Sequence, residues 1–170
     1  MNEIEVKILE IDAEGIIQKL EAWGAKKIFD GEIVASYFDF DSRELFKQDK
    51  LLRLRRKGEK CELTFKKTLS LEKARIMDEF EVTLDDYGGT KKILFELGLK
   101  EYKRLAKHRL SYLFEGAHFE IDRYPEIPAY LEIEAPNLEK LEELVRKLGF
   151  SMSDTKPWSV KNVLEHYGKL

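Results

Sequence analysis

Asn2-Glu3-Ile4-Glu5-Val6-Lys7-Ile8 alternates charge and hydrocarbon without a break. As a β-strand it turns successive side chains to opposite faces. Glu3, Glu5 and Lys7 then share one face, and Ile4, Val6 and Ile8 the other. A single strand of this kind is an ordinary half-solvated strand. The pattern, however, recurs along the chain. LLRLRRK (51–57) sets Arg53 and Arg55 against Leu52 and Leu54, and CELTFKK (61–67) sets Glu62, Thr64 and Lys66 against Cys61, Leu63 and Phe65. DEFEVTL (78–84) opposes Glu79 and Glu81 to Phe80 and Val82, and KHRLSYL (107–113) opposes Lys107 and Arg109 to His108 and Leu110. HFEIDRY (118–124) and YLEIEAP (130–136) place Glu120 with Asp122 and Glu132 with Glu134 opposite Phe119, Ile121, Leu131 and Ile133.

Two features weigh against seven solvated faces. The charges come as like pairs at i, i+2, some all acidic and some all basic, whereas exposed faces usually mix polar residues and cross-strand opposites. The chain also carries four amphipathic helices that need an apolar partner. One follows Asp12, shows Ile16, Ile17, Leu20 and Trp23, and stops at Gly24; a second runs from about Thr90 to Gly98. A third follows Pro136-Asn137 and ends at Gly149, and the last opens at Ser159 and ends before Gly168. Helices on the apolar strand faces leave the charged faces turned toward each other if the sheet closes. About eight strands close around an interior wide enough for side chains and one small ligand. Patterning alone leaves this barrel and an open sheet with a solvated face both standing.

Composition narrows the class. The 170 residues fit one domain, 1–170, with 43% hydrophobic and 37% charged residues and a formal net charge of −3. That balance advertises neither nucleic acid nor an anionic membrane, and no apolar run reaches spanning length. The one cysteine, Cys61, excludes an intramolecular disulfide and a cysteine zinc cluster, and reads as a buried thiol. A cytoplasmic location, with no membrane or nucleic-acid partner, is expected. Segments 41–50 and 68–74 read as mobile loops, His108 as core-facing and His118 as a strand end. A faint echo, WGAKKI (23–28), LGLKEY (97–102) and LGFSMS (148–153), hints at a duplicated half.

Charged faces that converge describe a site for a metal-chelated polyphosphate. Arginine forks fit phosphate oxygens, lysines act as point charges, and clustered carboxylates suit Mg²⁺ or Mn²⁺. No GxxxxGK[ST], GxGxxG or HExxH motif is present.

In order, these residues resemble the CYTH, or triphosphate tunnel metalloenzyme, superfamily of class IV adenylate cyclases, thiamine triphosphatases and inorganic tripolyphosphatases. Its ExExK hallmark is matched by Glu3, Glu5 and Lys7. The further matches are Tyr37-Phe38-Asp39, Arg53 with Arg55, Lys66, Glu79 with Glu81, Lys107 with Arg109, Asp122, and Glu132 with Glu134. The resemblance implies an α+β fold: a closed eight-stranded antiparallel β-barrel, or tunnel, with flanking helices. It implies Mg²⁺ or Mn²⁺ held by Glu3, Glu5, Glu132 and Glu134, with Asp122, Glu79 and Glu81 near a second ion. Lys7, Arg53, Arg55, Lys107 and Arg109 would bind the triphosphate, and Lys66 and Tyr37 would act on the attacking water. The implied function is metal-dependent hydrolysis of tripolyphosphate, thiamine triphosphate or a nucleoside triphosphate by a monomer or homodimer. The alternatives are an adenylate cyclase releasing cyclic AMP and pyrophosphate, and a non-catalytic polyphosphate- or nucleotide-binding module. The chain departs from the pattern at Met77, where relatives carry arginine with Arg75 nearby in uncertain register, and at Trp158-Ser159, where they carry Ser-Tyr.

Overall fold

The structure, a computed structural model, describes residues 2–169, with Asn2 and Glu3 described by their backbone alone. The side chain of Glu3, an expected metal ligand, therefore lies outside the described residues. Eight strands form one closed barrel: β1 (Asn2–Ile8), β2 (Lys26–Asp39), β3 (Lys50–Lys57), β4 (Lys60–Ser70), β5 (Arg75–Leu84), β6 (Lys100–Phe114), β7 (Ala117–Arg123) and β8 (Tyr130–Ala135). Around the barrel they run β1-β5-β4-β3-β2-β6-β7-β8, each pair antiparallel.

Helices α1 (Ala13–Ala22), α2 (Glu44–Lys47), α3 (Tyr87–Glu96), α4 (Leu138–Lys147) and α5 (Val160–His166) lie outside the strands. Local chemistry fixes their ends. The side chains of Asp12, Asp86, Asn137 and Ser159 accept from backbone amides of the first turns of α1, α3, α4 and α5. Gly24, Gly98 and Gly149 follow α1, α3 and α4 at positive φ, where a Cβ would be strained. The four expected helices are present, α3 starting three residues earlier than expected because Asp86 caps it.

The hydrophobic core sits between barrel and helices, not inside the barrel. Val6, Ile8, Leu110, Phe119, Ile121, Leu131 and Ile133 face outward from β1, β6, β7 and β8. They meet Ile16 and Leu20 of α1 and Leu141, Leu144, Val145 and Leu148 of α4, all buried. A smaller cluster joins Phe38, Leu54 and Leu99 to Leu94 of α3. Apolar side chains leave water on the outer face, and so the charged side chains must share the inner one.

Four local expectations change. Residues 41–50 contain α2, because the buried Asp39 carboxylate accepts from the amides of Phe40 at 2.8 Å, Leu45 at 3.0 Å and Phe46 at 3.1 Å. Residues 68–70 belong to β4, so only the remainder of 68–74 is loop. His108 faces outward and is 41% exposed, with Nε2 3.2 Å from Asp30, rather than lying in the core. The outer face of β5 also lacks the expected cover: Phe80 is 61% and Val82 54% exposed. Cys61 is buried, as expected.

These contrasts predict unequal costs. Phe119→Ala, in the main cluster, should lower the unfolding free energy by about 3–5 kcal/mol in urea titrations. Phe80→Ala should change it by no more than about 0.5 kcal/mol.

Candidate active site: an ion-lined tunnel

Alternation carries one charged side chain per two residues into the barrel, and register decides which meet. Lys7 of β1 lies opposite Glu132 of β8, and Glu5 lies opposite Glu134 on one side and Arg75 of β5 on the other. On β7, Glu120 faces Glu132 and Asp122 faces Tyr130 of β8, while Arg109 of β6 faces Asp122. On the far wall Arg53 and Arg55 of β3 face Thr64 and Glu62 of β4, and Lys66 faces Glu79 of β5. A cavity of about 110 Å³ runs between these walls, lined by Glu5, Lys7, Arg53, Lys66, Lys107 and Glu132 among others.

The interior is tightly paired. Lys7 is 2% exposed, with Nζ 2.7 Å from Glu132 and 3.0 Å from Glu5; Arg75 reaches Glu5 at 3.3 Å. Arg109 holds Asp122 in a two-pronged grip, Nε to Oδ1 and Nη2 to Oδ2 both 2.6 Å, and also donates to Glu120. Lys107 donates to Asp122 at 2.6 Å. Arg55 donates to Glu62, and its Nη2 reaches Glu81 at 3.2 Å; Lys66 pairs with Glu79. Arg53 differs: Nη2 donates to Thr64 at 3.2 Å, but its Nε is buried with no hydrogen-bond partner. An unmatched buried guanidinium N–H costs energy until an acceptor reaches it.

Electrostatics follow this pairing. Burial pushes the Lys107 ammonium down, and neighbouring Arg109 adds to that, taking its pKa to about 7 despite Asp122 and Glu132. Burial also lowers Arg53, with Arg55 beside it. Burial opposes the charge on Lys7, but Glu132 and Glu5 outweigh it and its pKa lies above the ordinary value. Glu132 shows the reverse balance: burial opposes its charge, yet Lys7, Arg109 and Lys107 hold its carboxyl well below the usual range. Asp122 is likewise lowered, Arg109 and Lys107 overcoming its burial.

Of the expected site residues, Glu5, Lys7, Tyr37, Arg53, Arg55, Lys66, Glu79, Lys107, Arg109, Glu132 and Glu134 line one cavity. Asp122 is fully buried just behind it, and Glu81 joins through Arg55 and Thr64. Arg75 settles its register by facing Glu5, two residues from the buried Met77. Glu120, Tyr124 and Tyr130 also line the cavity and were not expected as site residues. Strand alternation already placed Glu120 with Asp122, and the same rule places Tyr130 on the face of Glu132 and Glu134.

The donor set fits a hard divalent cation. Glu5 opposite Glu134, and Glu120 opposite Glu132, put like charges directly across adjacent strands, which the neighbouring Lys7, Arg75 and Arg109 partly offset. Carboxylate oxygens are the ligands Mg²⁺ and Mn²⁺ prefer. Among the described residues no three acidic side chains are gathered in ligating geometry, since Lys7, Arg75 and Arg109 hold several of these oxygens.

The chain belongs to the CYTH domain family, which matches residues 1–157. A curated protein of Methanocaldococcus jannaschii, named as a candidate adenylate cyclase, is 28% identical over 137 residues, 79% of this chain and 77% of that one. The solved PH1012 protein of Pyrococcus horikoshii is 29% identical with a TM-score of 0.77, covering 92% of this chain and 96% of its own. The fold also matches, at 18% identity and a TM-score of 0.68 over 99% and 97% of the two chains, a Hippeastrum adenylyl cyclase candidate described as having a dominant triphosphatase activity.

Removing Arg109 leaves buried Asp122 with Lys107 as its remaining cation and takes from Glu120 its guanidinium partner. Arg109→Met should therefore cost about 3–5 kcal/mol in urea unfolding, with part recovered in Arg109→Met/Asp122→Asn. In chelator-treated protein, the lowered carboxyls of Asp122 and Glu132 contribute stability that is fully present above their unfolded pKa of about 4. That stability disappears as pH falls through their depressed folded values. The urea midpoint should drop below about pH 4, and more shallowly in Asp122→Asn.

Proposed function

We propose that the protein is a divalent-metal-dependent hydrolase of a triphosphate-bearing substrate held inside the tunnel. The observation that carries this reading is the buried, unpartnered Nε of Arg53, on a wall it shares with Arg55 and Lys66, in a cavity that Lys107 and Arg109 also line. A phosphate oxygen supplies the acceptor it lacks. Glu5 with Glu134, and Glu120 with Glu132, gather carboxylates on adjacent strands, oxygen ligands of the kind a divalent cation prefers. The substrate thus bridges a basic wall and a metal-binding wall.

Glu5, Glu132 and Glu134, with Glu3 as the further ligand expected from the ExExK motif, would hold Mg²⁺ or Mn²⁺, which would supply charge neutralisation at the phosphates and Lewis-acid activation of water. Asp122, Glu79 and Glu81 are the acids that the family resemblance assigns to a second ion. Water attacks the terminal phosphorus and gives up a proton, the P–O bond to the bridging oxygen breaks, and the shortened chain leaves with that bonding pair and takes up the proton. Lys7, Arg53, Arg55, Lys107 and Arg109 bind the phosphates and offset negative charge as it develops. Lys66, paired with Glu79, positions the attacking water by donating a hydrogen bond to it. Tyr37, buried on the same cavity, orients that water with its hydroxyl.

Cyclisation is the second reading, and the name of the M. jannaschii relative favours it. There the ribose 3′-hydroxyl replaces water and attacks the α-phosphorus, releasing pyrophosphate. Phosphorus NMR with Mg²⁺ or Mn²⁺ separates the two when tripolyphosphate, thiamine triphosphate and ATP are supplied in turn. Orthophosphate release is expected; cyclic AMP with pyrophosphate from ATP would overturn hydrolysis, and no turnover would leave a binding module. Arg53→Ala should lower kcat/KM by about 10²–10³ if Arg53 meets the transferring group. Glu132→Gln should lower metal affinity or turnover by at least about 10² with the fold intact by circular dichroism.

A further inference from the structure

The tunnel opens beside α5 into a second chamber whose charge balance is different. Its volume is about 490 Å³, within the roughly 300–1,000 Å³ span of ligand pockets. The two spaces share Tyr37, Leu51, Lys66, Arg75, Ser159 and Val160, so a ligand leaving the tunnel on this side passes Lys66 and Arg75. The tunnel walls mix acids and bases. Here six cations, Arg43, Lys50, Lys66, Arg75, Lys103 and Lys161, stand against one carboxylate, Asp49.

Internal pairing does not cancel that excess within the chamber. Arg43, Lys66, Arg75 and Lys161 pair with Asp39, Glu79, Glu5 and Glu165, none of which lines the space. Lys50 donates to the neutral Gln48 side chain at 2.5 Å. Among the described residues neither Lys50 nor Lys103 has a carboxylate within salt-bridge distance. Lys103 is held below its ordinary pKa by burial, with Glu165 opposing and Lys161 adding to the effect. Cations gathered at an enclosed wall repel one another and raise the local concentration of anions.

The aromatic side chains serve the same field. The Arg43 guanidinium lies 3.9 Å from the centroid of Tyr102, and the Lys161 ammonium lies 4.7 Å from that of Phe46. These ring faces hold cations in place instead of standing clear for a stacked base. A cationic head group such as a thiazolium would enter against Lys50 and Lys103, and against four further cations whose carboxylate partners lie outside the chamber. A further anion would enter with them.

We propose that the chamber binds an anionic continuation of the substrate: the fourth and later phosphates of linear inorganic polyphosphate. The proposal rests on the tunnel as the site of the first three. Lys66 and Arg75 at the shared boundary take the oxygens of the chain as it crosses, and Lys50 and Lys103 take those beyond.

Calorimetric titration of the metal-free full chain, at fixed ionic strength, tests this with linear tripolyphosphate, linear hexaphosphate and ATP. A six-unit chain gains about fourfold simply from its four three-unit registers. A chamber that binds phosphate should raise the preference for hexaphosphate over tripolyphosphate beyond about tenfold, or about 1.4 kcal/mol. In Lys50→Gln/Lys103→Gln, two part-exposed positions, the ratio should fall back to about fourfold. A wild-type ratio at or below fourfold, or one the double variant leaves unchanged, overturns the chamber while tripolyphosphate binding keeps the tunnel. An increment seen for ATP and absent for hexaphosphate also overturns it, in favour of a nucleoside occupant. Hexaphosphate binding that depends on Lys50 and Lys103, without tripolyphosphate binding, puts phosphate in the chamber but not as a continuation from the tunnel, and overturns the proposal. Binding of neither polyphosphate removes both.

Discussion

The grip of Arg109 on Asp122, both buried and joined through two bonds of 2.6 Å, is the constraint on which the rest of the molecule turns. Neither ion could remain charged inside the barrel alone, because desolvation costs several kcal/mol per ion. Held together, they fix β6 against β7, and Lys107 and Glu120 attach to the same pair. Glu132 then joins Arg109 to Lys7, and Glu5 joins Lys7 to Arg75. A continuous ionic belt crosses five strands. A well-packed apolar interior would be as stable or more so, so stability does not account for the charges, whereas a multiply charged ligand does. The hydrophobic work is displaced to the outside of the barrel, under α1, α3 and α4.

Strand order explains how one chain segregates acids from bases. The elements β1-α1-β2-β3-β4 repeat as β5-α3-β6-β7-β8. In the barrel each leading strand is exchanged: β1 pairs with β8 and β5, and β5 pairs with β4 and β1, while β2 and β6 form the long joint between halves. The echo of WGAKKI and LGLKEY marks the two helix-to-strand turns at the heads of β2 and β6. Equivalent strands have diverged in charge: β3 carries Arg53 and Arg55, whereas its counterpart β7 carries Glu120 and Asp122. A symmetric frame thus gives an asymmetric tunnel, with a surplus of base on one wall and of acid on the other.

Most of this was legible because alternation is a strict local rule. Once Ile4, Val6 and Ile8 are assigned to the helix side, the direction of Glu5 and Lys7 follows, and the same holds for Glu132 and Arg109. What stayed hidden depended on contacts distant in sequence. Arg75 could not be placed without knowing that β5 pairs with β1, and the turn before it gives no register signal. His108 sits in an apolar-looking position, but β2 brings Asp30 beside it and leaves the ring half in water. Asp39, part of the recognised Tyr37-Phe38-Asp39 pattern, anchors the amides of α2 and so does structural work. Phe80 and Val82 follow the alternation correctly, yet the described residues leave both more than half exposed.

The two candidate reactions differ less in machinery than in what the tunnel's mouth admits. Both need negative charge offset along a phosphate chain, and the basic wall provides that whichever phosphorus is attacked. Hydrolysis of a terminal phosphorus asks only that water reach the end of the chain. Cyclisation asks in addition that a ribose be held with its 3′-hydroxyl in line with the α-phosphorus, which is a demand on the space beyond the phosphates. In this chain that space is walled by cations, and two of its rings already face Arg43 and Lys161. Its chemistry selects charge over shape. A site that selects charge tolerates variation in the length of a polyanion far better than it fixes the orientation of a sugar, and this asymmetry is the physical ground for placing hydrolysis ahead of cyclisation.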